Sequence, residues 1–579
     1  MAERMTDNEI LNKAKTYFKI CSDEQQSNQE NFVKSMKFTF NLEEGQWGST
    51  DRENRSNERR PCLTSNKLAK FVAQVVNAER GMQNLEDIIP VDDQGDPAIA
   101  KLINEIIEDI EYTSDAESAY NMAGEYAVAG GFGYWRILTE YSDDSFNQEI
   151  KIKPIENPLL VYKDKRNRFA FIRECLPTDE FKETYPESSA IDFESNAGYD
   201  NYELWWEDDK IWIAEFFLKE PCEKEIAEIM DSLTGETAVI ELTKENKLQV
   251  ESLGVLRRRK IKTHKIMWYK ITGSEILDKK EWPGKDIPII EVVGHSISLE
   301  GKTYKKSLTD DAQDNNRMYN TWLTSLTEKA TLSPKAPFMV TQSQIQGHEK
   351  QWQEANIKNF PYLIYNGVNP PQRVVAPPID SAALQMLQIA DNDIKDCLGM
   401  YEASVGQVSN ERSGKAILAR SARSDQAISS FPDNLRRAKA ETKKQLIDLI
   451  PKIYDNERVI RLRKSDDLVR INMEVMGNNG EPIIINDLSK GRYDVRVKSD
   501  ITPSRRQQIA DNMLSAMQYA PAYADLILPL VFKYTDAPGA EEITQAIQQR
   551  TQQIAQQNNQ VPTQPAQNSP QIEEVPNGI

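Results

Sequence analysis

Histidine is nearly missing from this chain: three residues in 579, His264, His295 and His348. None stands near another histidine, a cysteine or an acidic cluster at metal-ligand spacing, and no HExxH occurs. They are left with surface or structural roles, and no metal or cofactor is expected. Cysteine is also sparse. Cys21, Cys62, Cys175, Cys222 and Cys397 are odd in number and far apart, which fits neither a disulfide framework nor a zinc ribbon. Cys397 is expected as a packing residue on a helix. Long apolar runs are missing: nothing approaches the ~20 residues of a membrane span. The opening MAERMTDNEI lacks the apolar core of a signal peptide, so synthesis and use in a cytoplasm are expected.

Positive charge is in deficit. Lys and Arg total 71 against 90 Asp and Glu, a formal net charge of −19. Such an outer surface should not hold nucleic acid tightly. Apolar residues make up 39%, low enough to suggest elongated parts or a polar tail. A nucleotide loop is missing too. In AVAGGFGYW a helix precedes the glycines and a strand follows, the reverse of a phosphate-binding turn. At Gly414-Lys415 the previous glycine, Gly406, is too far back, and Ala416 stands where Ser or Thr would hold magnesium. No catalytic residue is assigned. The many carboxylates leave two readings, solvated acidic faces or a paired-carboxylate metal nuclease, and no spacing gathers them.

What is present is length for three or four domains and one unusual stretch, 302–452. A helix is expected over Ser307–Ala330, with Leu308, Ala312, Asn315, Tyr319, Leu323, Leu326 and Ala330 on one face. A second is expected over Ser381–Leu398, with Ala383, Leu387, Ala390, Ile394 and Leu398. Spacings alternating between three and four give each a narrow seam for a neighbouring helix. Seven prolines between Pro334 and Pro378 fence off the residues between as a small unit. The loop GQVSNERSGKA and a basic helical run to Ile450 follow. Pro432 should kink that helix. From Glu411 to Lys444 the local charge turns basic, through Arg412, Lys415, Arg420, Arg423, Arg436, Arg437, Lys439, Lys443 and Lys444. This is either a solvated helix face or a loop and helix facing a polyanion.

The rest reads as α+β. Residues 7–40 form a charge-mixed helical arm carrying Tyr17, Phe18, Phe32, Phe38 and Phe40, and a charged loop follows. Helices are expected near Asn66–Gln83, Pro97–Tyr112 and Asp115–Ala129, the last stopped by GGFG. From Phe132 to Val293, short aromatic or β-branched runs such as GYWRILTEY, RFAFIREC, KIWIAEFFLKE and HKIMWYKITG predict a mostly antiparallel sheet. Asn359–Val375 should add one or two strands. ERVIRLR, LVRINMEV, EPIIIND and YDVRVKSDI follow Pro451, then helices over Pro503–Gln518, Ala520–Tyr534 and Ala540–Gln557. The Gln/Asn/Pro-rich end should be disordered.

The order of these parts resembles the portal, or head-to-tail connector, protein of tailed bacteriophages, of the short-tailed phage type. The resemblance covers roughly 55–535. It is carried by RRPCLTSNKLAKFVAQVVNAERGMQNLEDIIPVDD, SAYNMAGEYAVAGGFGYWRILTEY, IKPIENPLLVYKD, WYKITGSEIL with WPGKDIPIIEVVG, SGKAILARSARSD with PDNLRRAKAETKKQLIDLIPKIYDNERVIRL, and DITPSRRQQIADNMLSAM. No one motif is diagnostic alone; their order over hundreds of residues gives the match its specificity.

The resemblance implies a portal fold in a ring oligomer, a dodecamer around an axial channel. Its wing would be 1–300 and 425–500, its stem helices 301–332 and 380–403, and its clip 333–379. A tunnel loop would span 404–424 and a crown 501–557, with a tail over 558–579. The long C-terminal barrel of some relatives is not expected. Double-stranded DNA would be packaged, retained and ejected through the channel. Arg412, Lys415, Arg420 and Arg423 are the candidates to touch it, with Gly406 and Gly414 letting the loop move. The terminase large subunit and later tail adaptor proteins would dock on the clip. There Gln342, Gln344, Gln346, His348 and Lys350 lie on or near one helix, with Trp352 as an aromatic anchor. Leu308, Tyr319, Leu323, Leu387 and Ile394 would form the stem seam. Major capsid and scaffolding proteins complete the partners, with no membrane. The place is the virion's portal vertex, and host cytoplasm during assembly. Two rivals stand beside this: another ring or adaptor of the virion, which would lack the helix–insert–helix hairpin, and a terminase-type nuclease, which would show metal-dependent cleavage.

Overall fold

A computed structural model of the chain describes most of residues 5–534; the longer stretches outside the description are 189–205, 400–427 and 535–579. The chain divides into two compact units: Met1–Gln407 with Gln426–Ser499, and Val408–Asp425 with Asp500–Ile579.

The first unit opens with helix α1 (Asp7–Thr39), about 50 Å long at 1.5 Å per residue. Thr6 and Glu9 close a capping box at its start. Ile10, Leu11, Ala14, Phe18 and Cys21 are buried along it, and Tyr17 stacks on Phe169 at 4.1 Å. The expected arm is therefore packed against a sheet along its aromatic face. Helix α2 (Ser49–Asn57) lies in the stretch expected as loop. It buries no residue, so no apolar period announces it.

Helix α3 (Leu68–Arg80) and strand β1 (Glu86–Pro90) follow, then α4 (Pro97–Thr113) and α5 (Ala116–Gly130). Helix α4 begins at Asp96, whose carboxylate accepts the Ala98 amide at 2.7 Å. It buries Ile103, Ile106, Ile107 and Ile110, a 3–4 stripe. Gly131, at φ +104°, ends α5 and donates to Tyr126 and Ala127. A β-carbon at Gly133 would stand 2.2 Å from the Ala123 carbonyl, so only glycine lets the next strand pass this close under α5.

Strands β2 (Phe132–Tyr141), β3 (Gln148–Pro154), β4 (Val161–Lys163) and β5 (Phe169–Pro177) come next. After α6 (Thr178–Thr184) come β6 (Trp206–Glu207), β7 (Lys210–Met230), β8 (Thr237–Glu241), β9 (Val255–Ile271), β10 (Ile276–Trp282) and β11 (Ile289–Val293). One sheet runs β10-β9-β7-β5-β4 with β6 and β8 also on β7; another runs β11-β2-β3. Every pairing is antiparallel, as expected. Strands β7 and β9 outrun their apolar cores and continue as a ribbon. There Glu220 faces Lys265, Glu223 faces Lys262, Glu225 faces Lys260 and Glu228 faces Arg257. Opposite charges help hold these arms in register, and a small cluster of Ala227, Ile229 and Val250 adds a core near their far end.

Strands β12 (His295–Leu299) and β13 (Lys302–Lys306) form a hairpin that leads into helix α7 (Gln313–Leu332). The expected helix from Ser307, and the stem span from residue 301, start too early. Residues 302–306 pair with β12, and Ser307, Thr309 and Asp310 bond one another and the local backbone in the turn. The insert holds β14 (Phe338–Met339), α8 (Gln342–Ile345), α9 (Glu349–Gln353) and β15 (Gln372–Arg373), with β14 paired to β15. Strand β15 is all that Asn359–Val375 contributes among the described residues; Pro361, Pro370 and Pro371 remove the amides a longer ladder needs. Helix α10 spans Ser381–Leu398, the residues expected.

Helix α11 (Ser430–Ile453) takes Pro432 in its first turn, where its missing N–H breaks no hydrogen bond; the expected mid-helix kink has no basis there. Its Leu435, Ala438, Leu446, Leu449 and Ile450 join α4, α5, β2 and β3 in the largest core. Trp135, fully buried, donates its indole N–H to Thr442 at 2.9 Å. Strands β16 (Arg458–Arg461) and β17 (Leu468–Ile471) pair, as do β18 (Met473–Met476) and β19 (Pro482–Ile485). Strand β20 (Tyr493–Val497) then pairs with β1, Glu86 opposite Val497. In the second unit, α12 (Pro503–Tyr519) and α13 (Ala524–Tyr534) pack together; the expected helix over 540–557 and the tail lie outside the described residues.

Candidate functional site

Helices α7 and α10 pack along one another. On α10, Ala383, Ala390, Ile394 and Leu398 are buried, which is the periodic face of the sequence. Leu308, Tyr319 and Ile394 meet in one cluster with Phe38, Phe71 and Val75. Leu323 and Leu387 are half-buried outside that cluster. Cys397 is not a packing residue: it is exposed, 3.2 Å from the Asn315 amide.

The inward face of α7 is polar, which the apolar seam did not reveal. Asn316, Asn320 and Thr324, one turn apart, have 0–1% of their surface exposed. They read the backbone of the strap between α2 and α3. Thr324 accepts the Leu63 amide at 3.1 Å, Asn320 the Ser65 amide at 2.8 Å and Asn316 the Lys67 amide at 3.3 Å. Both asparagines donate to Gln46 Oε1, at 2.8 and 3.0 Å, and Gln46 donates to the Phe38 carbonyl at 3.0 Å. Each buried group thus has a partner. The sequence signal an apolar seam passes over is three short polar residues at i, i+4 and i+8.

Charges close the strap at both ends. Arg60 grips Glu328 of α7 with two parallel bonds of 3.1 Å, and Arg55 adds a third of 3.1 Å. The Arg60 guanidinium holds Glu328 below the usual carboxylate range. Lys67 lies 3.3 Å from Asp391 of α10, and Lys395 2.8 Å from it. Burial pushes the Asp391 carboxyl up, but these two lysines pull it below its ordinary value.

Among the insert's described residues, 337–374, none is buried. Met339, Ile357, Tyr362, Ile364, Tyr365, Val368 and Val374 are exposed, Ile357 by 81% and Val368 by 96%. The run from Gln342 to Trp352 is two short helices, not one, broken at Gly347 with φ +83°. Trp352 is turned inward: its N–H donates to the Ile364 carbonyl at 2.8 Å, and Phe338 packs on it edge-to-face at 5.3 Å. Gln344 also serves the insert, accepting the Thr341 amide at 2.9 Å and donating to Asn369 at 3.1 Å. His348, half-buried, stands at the start of α9. Gln346 and Lys350 face outward.

Arg412, Lys415, Arg420 and Arg423 lie outside the described residues. The helical half of the basic run is only partly an open face: Arg437 and Lys444 are exposed, the others less so. Lys443 is 3% exposed, Lys439 lies over the Tyr120 ring at 5.0 Å, and Arg436 pairs with Asp433 at 3.1 Å. Nearby, burial pushes the Glu79 carboxyl up to about 8, against the pull of Lys439 and Arg80. A β-carbon at Gly124 would stand 3.0 Å from Glu79 Oε2. Among the described residues no three His, Cys, Asp or Glu side chains could share a metal ion, and no helix is long and apolar enough to cross a membrane.

The chain is 24% identical over 531 residues to a protein named as the portal protein of Acyrthosiphon pisum secondary endosymbiont phage 1; the match covers 84% of this chain and 72% of that one. The family model described as phage P22-like portal protein matches residues 15–577. The helix–insert–helix hairpin therefore sits in a chain that belongs to the P22-like portal protein family.

Proposed function

We propose that copies of this chain close into a dodecameric ring at one capsid vertex, and that double-stranded DNA is packaged, retained and ejected through its axial channel. Helices α7 and α10 form the stem of each copy and line the bore beside their neighbours. The insert is the clip, pointing outward. The tunnel loop is 404–424, the crown 501–557, and the remaining body is the wing. The terminase large subunit docks on the clip during packaging and supplies the ATP work; tail adaptor proteins take its place later. Capsid and scaffolding proteins surround the wing. The chain itself performs no catalytic step.

One observation carries this reading: an insert whose described residues bury nothing and expose seven large apolar side chains. So many exposed large apolar side chains on one small insert fit a surface that other chains cover. The net charge of −19 fits a sliding channel, since a repelling wall does not brake a duplex, while a few loop cations, Arg412, Lys415, Arg420 and Arg423, touch and release it.

The test uses Ile357→Asp with Val368→Asp. Both positions are exposed in the single chain, so the fold should tolerate the change. The reading expects folded protein that no longer assembles or no longer supports packaging with terminase. Normal assembly and genome-filled heads from this variant would count against the insert as the covered tip. Charge reversal at Arg412 and Lys415 should instead leave rings intact and impair packaging or DNA retention.

A further inference from the structure

Among the strand edges of the first unit that run without a partner strand among the described residues, those of β9 and β12 are built in opposite ways. The outer edge of β9 is unpaired before Ile266. It carries Arg257, Arg258, Arg259, Lys260 and Lys262, an array of like charge that discourages a second strand. Among the described residues, strand β12, His-Ser-Ile-Ser-Leu, pairs only with β13. It has no lysine, arginine, acid or proline, and its five-residue register with β13 has no bulge. All five residues are exposed, Ile297 by 43% and Leu299 by 60%. An edge this flat and unguarded is the kind that accepts another strand.

The hairpin is also fixed in place. On the far side of β13, Asn28 of α1 donates to the Thr303 carbonyl at 2.8 Å and accepts the Lys305 amide at 2.9 Å. That side chain occupies the β13 edge as a strand would, and leaves β12 as the free one. Ile297 and Leu299, two residues apart, share one face of the hairpin.

We propose that β12 pairs in trans with a second copy of this chain: the outer edge of His295–Leu299 joins the backbone of the neighbouring subunit, and Ile297 and Leu299 are buried in the joint. The occupant follows from continuity. The hairpin runs through the Ser307–Ala312 turn straight into α7, so this edge stands at the foot of the helix pair that the ring would pack side by side. A closed ring makes head-to-tail contacts, so β12 meets a different segment of the neighbour, not its own copy. The inference rests on the ring reading of the preceding section.

Hydrogen exchange of the full-length chain, compared between monomer and assembled ring, tests it. The 295–299 amides on the outer edge should slow by about tenfold or more on assembly, and Ile297→Lys with Leu299→Lys should leave a folded monomer that no longer forms rings. Rings in which 295–299 exchange as fast as in the monomer, or rings formed normally by the double variant, would overturn the pairing and leave the ring reading standing. A wild-type chain that forms no rings under any assembly condition overturns the ring reading, and this inference falls with it.

Discussion

Asn320 of α7 accepts the Ser65 amide at 2.8 Å with a side chain that is 1% exposed. This bond stands at the centre of a polar ladder tying the α2–α3 strap to the first helix of the hairpin. Replacing it by Asn320→Leu keeps the volume and leaves the Ser65 amide without its acceptor and Gln46 short of one donor. An unsatisfied buried group costs about 1–3 kcal/mol. The amides of Leu63, Ser65 and Lys67 should therefore exchange about ten- to a hundredfold faster, while those of α4 and β2 stay unchanged. Equal acceleration across the unit would mean the ladder is not a local clasp.

Glu328 holds Arg55 and Arg60 at the other end of the strap. Glu328→Gln should free both, and tryptic cleavage between Arg52 and Arg60 should quicken several-fold. Glu58→Gln, which removes only the exposed Arg60–Glu58 pair, should change little, as solvated pairs generally do.

Glu79 gives the fold a pH dependence with a definite sign. Its folded-state value, about 8, lies above the ordinary 4.5, so the folded state holds the proton more tightly than the unfolded one. The protonated side chain supports the fold at low pH. That support is lost as pH rises between the two values and levels off above about 8. The slope attributable to this one group is at most about 1.4 kcal/mol per pH unit. Glu79→Gln should remove that slope, so the difference in thermal midpoint between wild type and variant should grow in the variant's favour from pH 5 to pH 8. A constant difference would show that Glu79 ionises normally.

Thr442 meets the buried Trp135 indole at 2.9 Å. Thr442→Val keeps the shape and strands the N–H, at a cost of about 1–3 kcal/mol. Thermal unfolding should begin several degrees lower. Trp135→Phe with Thr442→Val, which removes both partners, should cost less than the two single changes added together.

The helices were legible where apolar residues recur every three or four positions, as in α4 and α10. The sheet was legible where aromatic and β-branched runs are bounded by turns, as in β2 and β5. Legibility failed where charge replaced the apolar pattern. The ribbon arms of β7 and β9 are held by glutamate–lysine pairs, and α2 buries nothing. It failed also where a polar side chain does the packing: Asn316, Asn320 and Thr324 lie on the buried face of α7 that an apolar seam cannot mark. Trp352 looked like an outward anchor because aromatic residues often serve so, yet the contacts that turn it inward, from Phe338 and Ile364, come from opposite ends of the insert. The order of parts was the robust signal, since it does not depend on which face any one residue occupies.

Imaging the purified, assembled full-length chain by negative-stain electron microscopy tests the central claim most directly. The account predicts ring particles with a central hole and twelve-fold rotational symmetry. Particles without a hole, or a chain that remains monomeric or dimeric under every assembly condition, would contradict it.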